Sequence, residues 1–107
     1  MKTPPSRKWT ARIDLMPVKP PTLHVLGEVE TSAANHVPKL TEASPQGINE
    51  KILILDLDIV DTGGIGTQDF QYRDARFDKP VERAQYTHVE IRFHGSFVVV
   101  IEVTETH

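Results

Sequence analysis

No cysteine occurs in the chain, which excludes disulfides, thiol nucleophiles and cysteine-ligated zinc together. Neither sign of charge dominates. A net charge of −3 leaves no electrostatic footprint for nucleic acid, whose binding rests on phosphate neutralisation, so no nucleic-acid partner is expected. No apolar run approaches the roughly eighteen residues that a membrane helix needs. The opening MKTPPSRKWTAR contains no apolar core of a signal segment, so the expectation is a cytoplasmic protein without a membrane partner. Eight prolines argue against long helices, because each removes a backbone donor and clashes with the preceding turn.

What is present is alternation. At 38% apolar and 25% charged, the chain is too apolar for disorder, and 107 residues suit one domain spanning 1–107. Residues 1–7 read as a loose lead-in. Residues 8–16 place Trp9, Ala11, Ile13 and Leu15 on one side, and residues 23–30 do the same with Leu23, Val25, Gly27 and Val29. Gly27 marks a bulge or a close backbone approach. Residues 36–43 predict an edge strand, since Pro38 is acceptable only there. Residues 51–60 predict a central strand, with Leu53, Leu55, Leu57 and Ile59 on the core face and Asp56 and Asp58 where the other face meets water. A weaker strand covers residues 68–77.

Two tracts near the C-terminus predict a hairpin. A two-residue loop at His94-Gly95 pairs Arg92 with Phe97. A three-residue loop, His94-Gly95-Ser96, instead pairs Phe93 with Phe97, Ile91 with Val99 and Val89 with Ile101, apolar against apolar. The second is preferred on burial. The resulting fold class is all-β: a seven-stranded antiparallel β-sandwich with Greek-key, Ig-like connections, with a small β-barrel as the alternative.

Residues 51–66, KILILDLDIVDTGGIG, hold the candidate chemistry. Asp61-Thr62-Gly63, after Ile59-Val60, resembles the active-site turn of aspartic proteases of the small retroviral type, where two chains bring two aspartates together to share one proton. That resemblance implies a catalytic Asp61 in a dimeric hydrolase. The chain departs from the pattern at Asp58, at Gly64, and in lacking both the late Ile/Leu-Gly-Arg segment and a glycine-rich flap. The bland alternative is that Asp61 caps a turn. Asp56, Asp58 and Asp61 together could offer oxygen ligands to Ca²⁺ or hydroxyls of a sugar, yet the D-x-D-x-D-G spacing of an EF-hand is absent and Asp61 has the opposite parity. His24, His36, His88, His94 and His107 are scattered, so no metal site and no cofactor are expected. No G-x-S-x-G, P-loop or dinucleotide fingerprint occurs. Lys2, Arg7, Lys8, Trp9 and Arg12 form a small basic–aromatic patch, which reads as a solvated terminus with Trp9 docked in the core.

Trp9-x-Ala11, the PP-x-L-x-V-x-G run from Pro20 and the Pro45-Gln46-Gly47-Ile48-Asn49 segment resemble those of a set of short uncharacterised bacterial β proteins. The likeness covers about the first sixty residues. It implies a standalone bacterial β protein and brings no activity with it. The function expected is that of a small non-catalytic binding or protein-interaction module. Val98 and Val100, beside Ile52 and Ile54, form a candidate apolar face for a homodimer or a protein partner, through a sheet face or edge.

Overall fold

Alternating side chains become seven strands in a computed structural model that describes residues 3–106. These are β1 (Ser6–Asp14), β2 (Thr22–Ala33), β3 (His36–Glu42), β4 (Ile52–Asp61), β5 (Gln68–Pro80), β6 (His88–Phe93) and β7 (Ser96–Thr106). The strands form one sheet in the order β3-β4-β6-β7-β1-β2-β5. The all-β class and the number of strands agree with the sequence. Uniform antiparallel pairing does not hold, because β1 runs parallel to β7 and β4 parallel to β6. The cause is connectivity. Between β4 and β6 the chain travels to the far end of the sheet as β5 and returns, which sets β6 in the same direction as β4.

The lead-in is shorter than expected. Ser6 and Arg7 already belong to β1, and the Pro5 carbonyl accepts the Glu30 N–H at 2.9 Å. Residues 1 and 2 of that lead-in lie outside the described residues. At the other end of the sheet β5 runs on to Pro80, where a missing donor is harmless in the last residue of an edge strand.

The hairpin does not form the preferred three-residue loop or the pairing of Phe93 with Phe97, although Ile91 still faces Val99 and Val89 faces Ile101. His94 and Gly95 form a two-residue turn, both with positive φ (48° and 84°), and Phe93 pairs with Ser96. That backbone matches the twist of the flanking strands. Arg92 then faces Phe97, but Ile91 faces Val99, so Val98 is an extra residue in β7. The bulge restores the apolar pairing that burial demands.

The core lies between the two halves of the curled sheet. Leu53, Leu55 and Leu57 of β4 and Val89, Ile91 and Phe93 of β6 meet Ile13, Leu23, Val25 and Val29 from β1 and β2. Removing each such side chain from water contributes about 1.5–3 kcal/mol. The sheet curls until its edge strands β3 and β5 lie side by side, so the molecule is nearly a barrel. Its extents of 44 × 31 × 21 Å make that barrel flat. Side chains staple the seam. Lys79 of β5 pairs with Glu42 of β3, and its Nζ donates to the Tyr86 hydroxyl at 3.2 Å.

Candidate functional site

The three aspartates singled out in the sequence do not converge. Asp56 and Asp58 point out of β4, on the face opposite to the core leucines. Asp58 Oδ1 lies 3.1 Å from Nε2 of His94, whose ring stacks on Phe93 with centroids 4.1 Å apart. The hydrogen bond from His94, helped by the Ile59 N–H, holds the Asp58 carboxyl below the usual carboxylate range. Asp61 takes the opposite parity and acts on the backbone. Its Oδ1 accepts from the Gly63 N–H and from Asn35 Nδ2, each at 2.8 Å. Asn35 locks the same turn from the other side, its carbonyl accepting both the N–H and the hydroxyl of Thr62. Asp61 therefore closes the loop between β4 and β5 as an Asx turn. Among the described residues no group of three or more His, Asp or Glu converges on a possible metal position. The Asn35 contribution was not legible beforehand, since it depends on the turn between β2 and β3 landing beside Asp61.

At this same end the two halves of the sheet part. A cleft of about 710 Å³ opens between Pro4, Pro5 and Thr31 on one side and His36, Ile59 and Phe93 on the other. Its walls are largely apolar, and Asp61 sits at its rim.

The valines of the candidate face are separated by the structure. Ile54 is 5% exposed because the chain's own loop covers it: Gly47 lies against its side chain, and the Gln46 side chain bonds to its backbone. The bulge places Val98 against the core, while Val100 remains 40% exposed. The apolar surface survives as an edge.

β7 changes neighbours part-way along. Through Glu102 it pairs with β6, and from Val103 to Thr106 it pairs with β1. The ladder of β1 with β7 begins only at Ala11, and the first half of β1 pairs with β2 alone. The flank of residues 97–101 that faces away from β6 thus carries no ladder among the described residues. The Val103 N–H donates to the Thr87 carbonyl at 2.9 Å. Alternation along an antiparallel pair then turns the backbone groups of Ile101 and Val99 toward β6 and those of Val100 outward. Side-chain burial agrees. Val99 and Ile101 are only half-buried, although Ile91 and Val89 across the ladder from them are fully buried, and Phe97 is 63% exposed.

The other edges are guarded. β3 carries Pro38 and Lys39, and β5 carries seven ionisable side chains and ends in Pro80. Proline and charge of this kind discourage an incoming strand. Residues 97–101, Phe-Val-Val-Val-Ile, contain neither.

No helix among the described residues is long and apolar enough to cross a membrane. No family model matches the chain, and no curated protein or solved structure matches it either.

Proposed function

We propose that this protein is a small non-catalytic interaction module whose contact surface is the bare edge of β7. The observation that carries the proposal is the contrast between this edge and the other two: β3 and β5 bear proline and charge, and β7 bears five consecutive apolar residues with an outward backbone at Val100. A strand edge of that kind recognises an extended segment by main-chain hydrogen bonds, with alternate side chains supplying selectivity. In dilute protein the Val100 amide should exchange with solvent rapidly while those of Val99 and Ile101 are protected. A lysine-flanked Val-Thr repeat peptide, a generic strand former, should slow the Val100 amide. Slow exchange at Val100 in the free monomer would end the proposal.

A second reading, capture of a small apolar ligand in the end cleft, has its size and walls in its favour. Nuclear magnetic resonance titration with small aromatic probes tests it through shifts at Ile59 and Phe93. The alternatives built on Asp61 have less support. One of its oxygens is committed to closing its own loop, and Asp56 and Asp58 point away from it. An Asp61→Asn variant that still folds and leaves any peptide cleavage unchanged would remove the hydrolase reading.

Three further expectations belong to the same proposal. The flattened sheet is read as two layers, with the connections β2–β3, β4–β5 and β5–β6 passing between them as Greek-key crossings do. The 21 Å thickness and the divided pairing of β7 support that reading. Residence in the cytoplasm is part of the same proposal, and the lack of any apolar run of membrane length is consistent with it. Kinship with short bacterial β proteins rests on the Trp9-x-Ala11 segment, the PP-x-L-x-V-x-G run from Pro20 and the Pro45–Asn49 segment.

A further inference from the structure

We infer that the strand added to the β7 edge is the β7 edge of a second copy of this chain, related by a two-fold axis through Val100. This rests on the reading of β7 as the contact surface and names its partner.

Two identical edges meet in closed form only as an antiparallel, two-fold pair. Beyond the bulge at Val98 and short of the ladder to β1 that starts at Val103, Val100 is the residue of the regular stretch 99–101 whose N–H and carbonyl both point outward. Placing it on the axis lets the two Val100 residues exchange a pair of hydrogen bonds. Val99 then lies opposite Ile101 of the second copy on the inner face, and Val100 opposite Val100 on the outer face. Every inner partner is a half-buried aliphatic side chain that gains cover, and no charge lies between Ser96 and Ile101. Beyond them stands Glu102, an exposed carboxylate with no ion pair among the described residues. In this register it faces Val98 of the second copy. Arg92 of that copy lies one strand further on, on the same outer face, with its guanidinium already held by Glu90, so Glu102 stays at the solvent-facing end of the pair. An edge that is apolar on both faces, with no charge inside the paired stretch, suits its own copy. A strongly acidic or basic partner segment finds no such match.

The register defines the test. Val100→Pro removes an outward N–H that the β6 ladder does not use, and Val100→Lys places a charge on the axis without touching the backbone. Sedimentation velocity from micromolar to near-millimolar concentration should show a roughly twofold rise in mass for the unaltered chain, and a monomer for both variants. Protection of the Val100 amide should rise in step with that mass. If Val100→Pro fails to fold, Val100→Lys alone decides. Dimer retained in Val100→Lys overturns the inference, because the contact then lies elsewhere. A strict monomer whose Val100 amide exchanges rapidly also overturns it, while leaving the edge open to a different strand. A Val100 amide already protected in the monomer removes the underlying reading as well.

Discussion

The indole of Trp9 lies flat against the backbone of Gly27, and a Cβ placed on that glycine would come 2.3 Å from Cε3 of the ring. A bulge in β1 makes the contact possible. Arg7 pairs with Glu28 and Thr10 with Leu26, so Lys8 and Trp9 together stand opposite Gly27, and Lys8 takes a positive φ of 58°. The ring is then held by its Nε1, which donates to the Ser6 hydroxyl at 2.9 Å.

That contact makes Gly27→Ala a steric insult at an ordinary backbone position. We expect it to cost about 3 kcal/mol or more, the upper end for overpacking a core. Trp9→Ala should cost a similar ~3 kcal/mol through lost packing. The two are not additive: in the Trp9→Ala background, Gly27→Ala should cost less than about 1 kcal/mol, because the ring it strikes is gone. Urea denaturation of the four proteins checks this, and additive losses would show that the clash is relieved in some other way.

Gln46 extends the sheet with a side chain. After Glu42 the ladder of β3 ends, and the Gln46 amide accepts the Ile54 N–H at 2.8 Å and donates to the Ile54 carbonyl at 2.9 Å, as a peptide group would. The Ile54 carbonyl also accepts the Ala43 N–H at 3.0 Å, so Gln46→Ala orphans the Ile54 N–H alone and should cost about 1–2 kcal/mol, the range for one buried unpaired group. It should also speed exchange of the Ile54 amide while leaving that of Leu57 unchanged. Exchange at Ile54 identical to the parent protein would mean that water replaces the amide without penalty.

The seam should respond to alkali. The hydrogen bond to Glu42 raises the Lys79 pKa above its ordinary 10.5, with Tyr86 adding to it against the opposing effect of burial. A raised lysine stabilises the folded chain at every pH below its unfolded value, and that stability is lost as pH climbs through the folded value. Lys79→Met should therefore cost about 0.5–1 kcal/mol at neutral pH, given the partial exposure of the pair. The gap between variant and parent should close at pH well above 10.5. A gap that stays constant into strong alkali would show that Lys79 acts through its aliphatic stem and not its charge.

The strands were legible in the sequence because their side chains alternate. Leu53, Leu55 and Leu57, and likewise Leu23 and Val25, point to one face whatever their neighbours are. Strand order was not legible. Pairing Ala11 with Val103 depends on chain segments some ninety residues apart, and nothing local at either end encodes the other. The hairpin shows a subtler limit. His94-Gly95 favours a two-residue turn, and the apolar residues of β6 and β7 favour a register that such a turn forbids. Only a bulge at Val98 satisfies both, and a bulge leaves no mark in the residue pattern. The candidate site followed the same division. Asp61 was visible as a turn residue, but its hold on Asn35 was not. The run of valines was visible as surplus apolar surface, and the sheet had to be assembled before it became an edge.

The parallel ladder between β1 and β7 also governs the order of events during synthesis. β1 leaves the ribosome early, yet one side of its second half stays unsatisfied until β7 has emerged. Until then β1, β2 and β5 can pack only against β3 and β4, and the part of the core built on β6 and β7 is missing. Contacts this far apart in the chain place the protein among slow-folding topologies. The nascent chain therefore leaves Ile13 and Val25 incompletely covered over this stretch of synthesis, and this waiting interval, more than the finished fold, is when it would need protection by a chaperone.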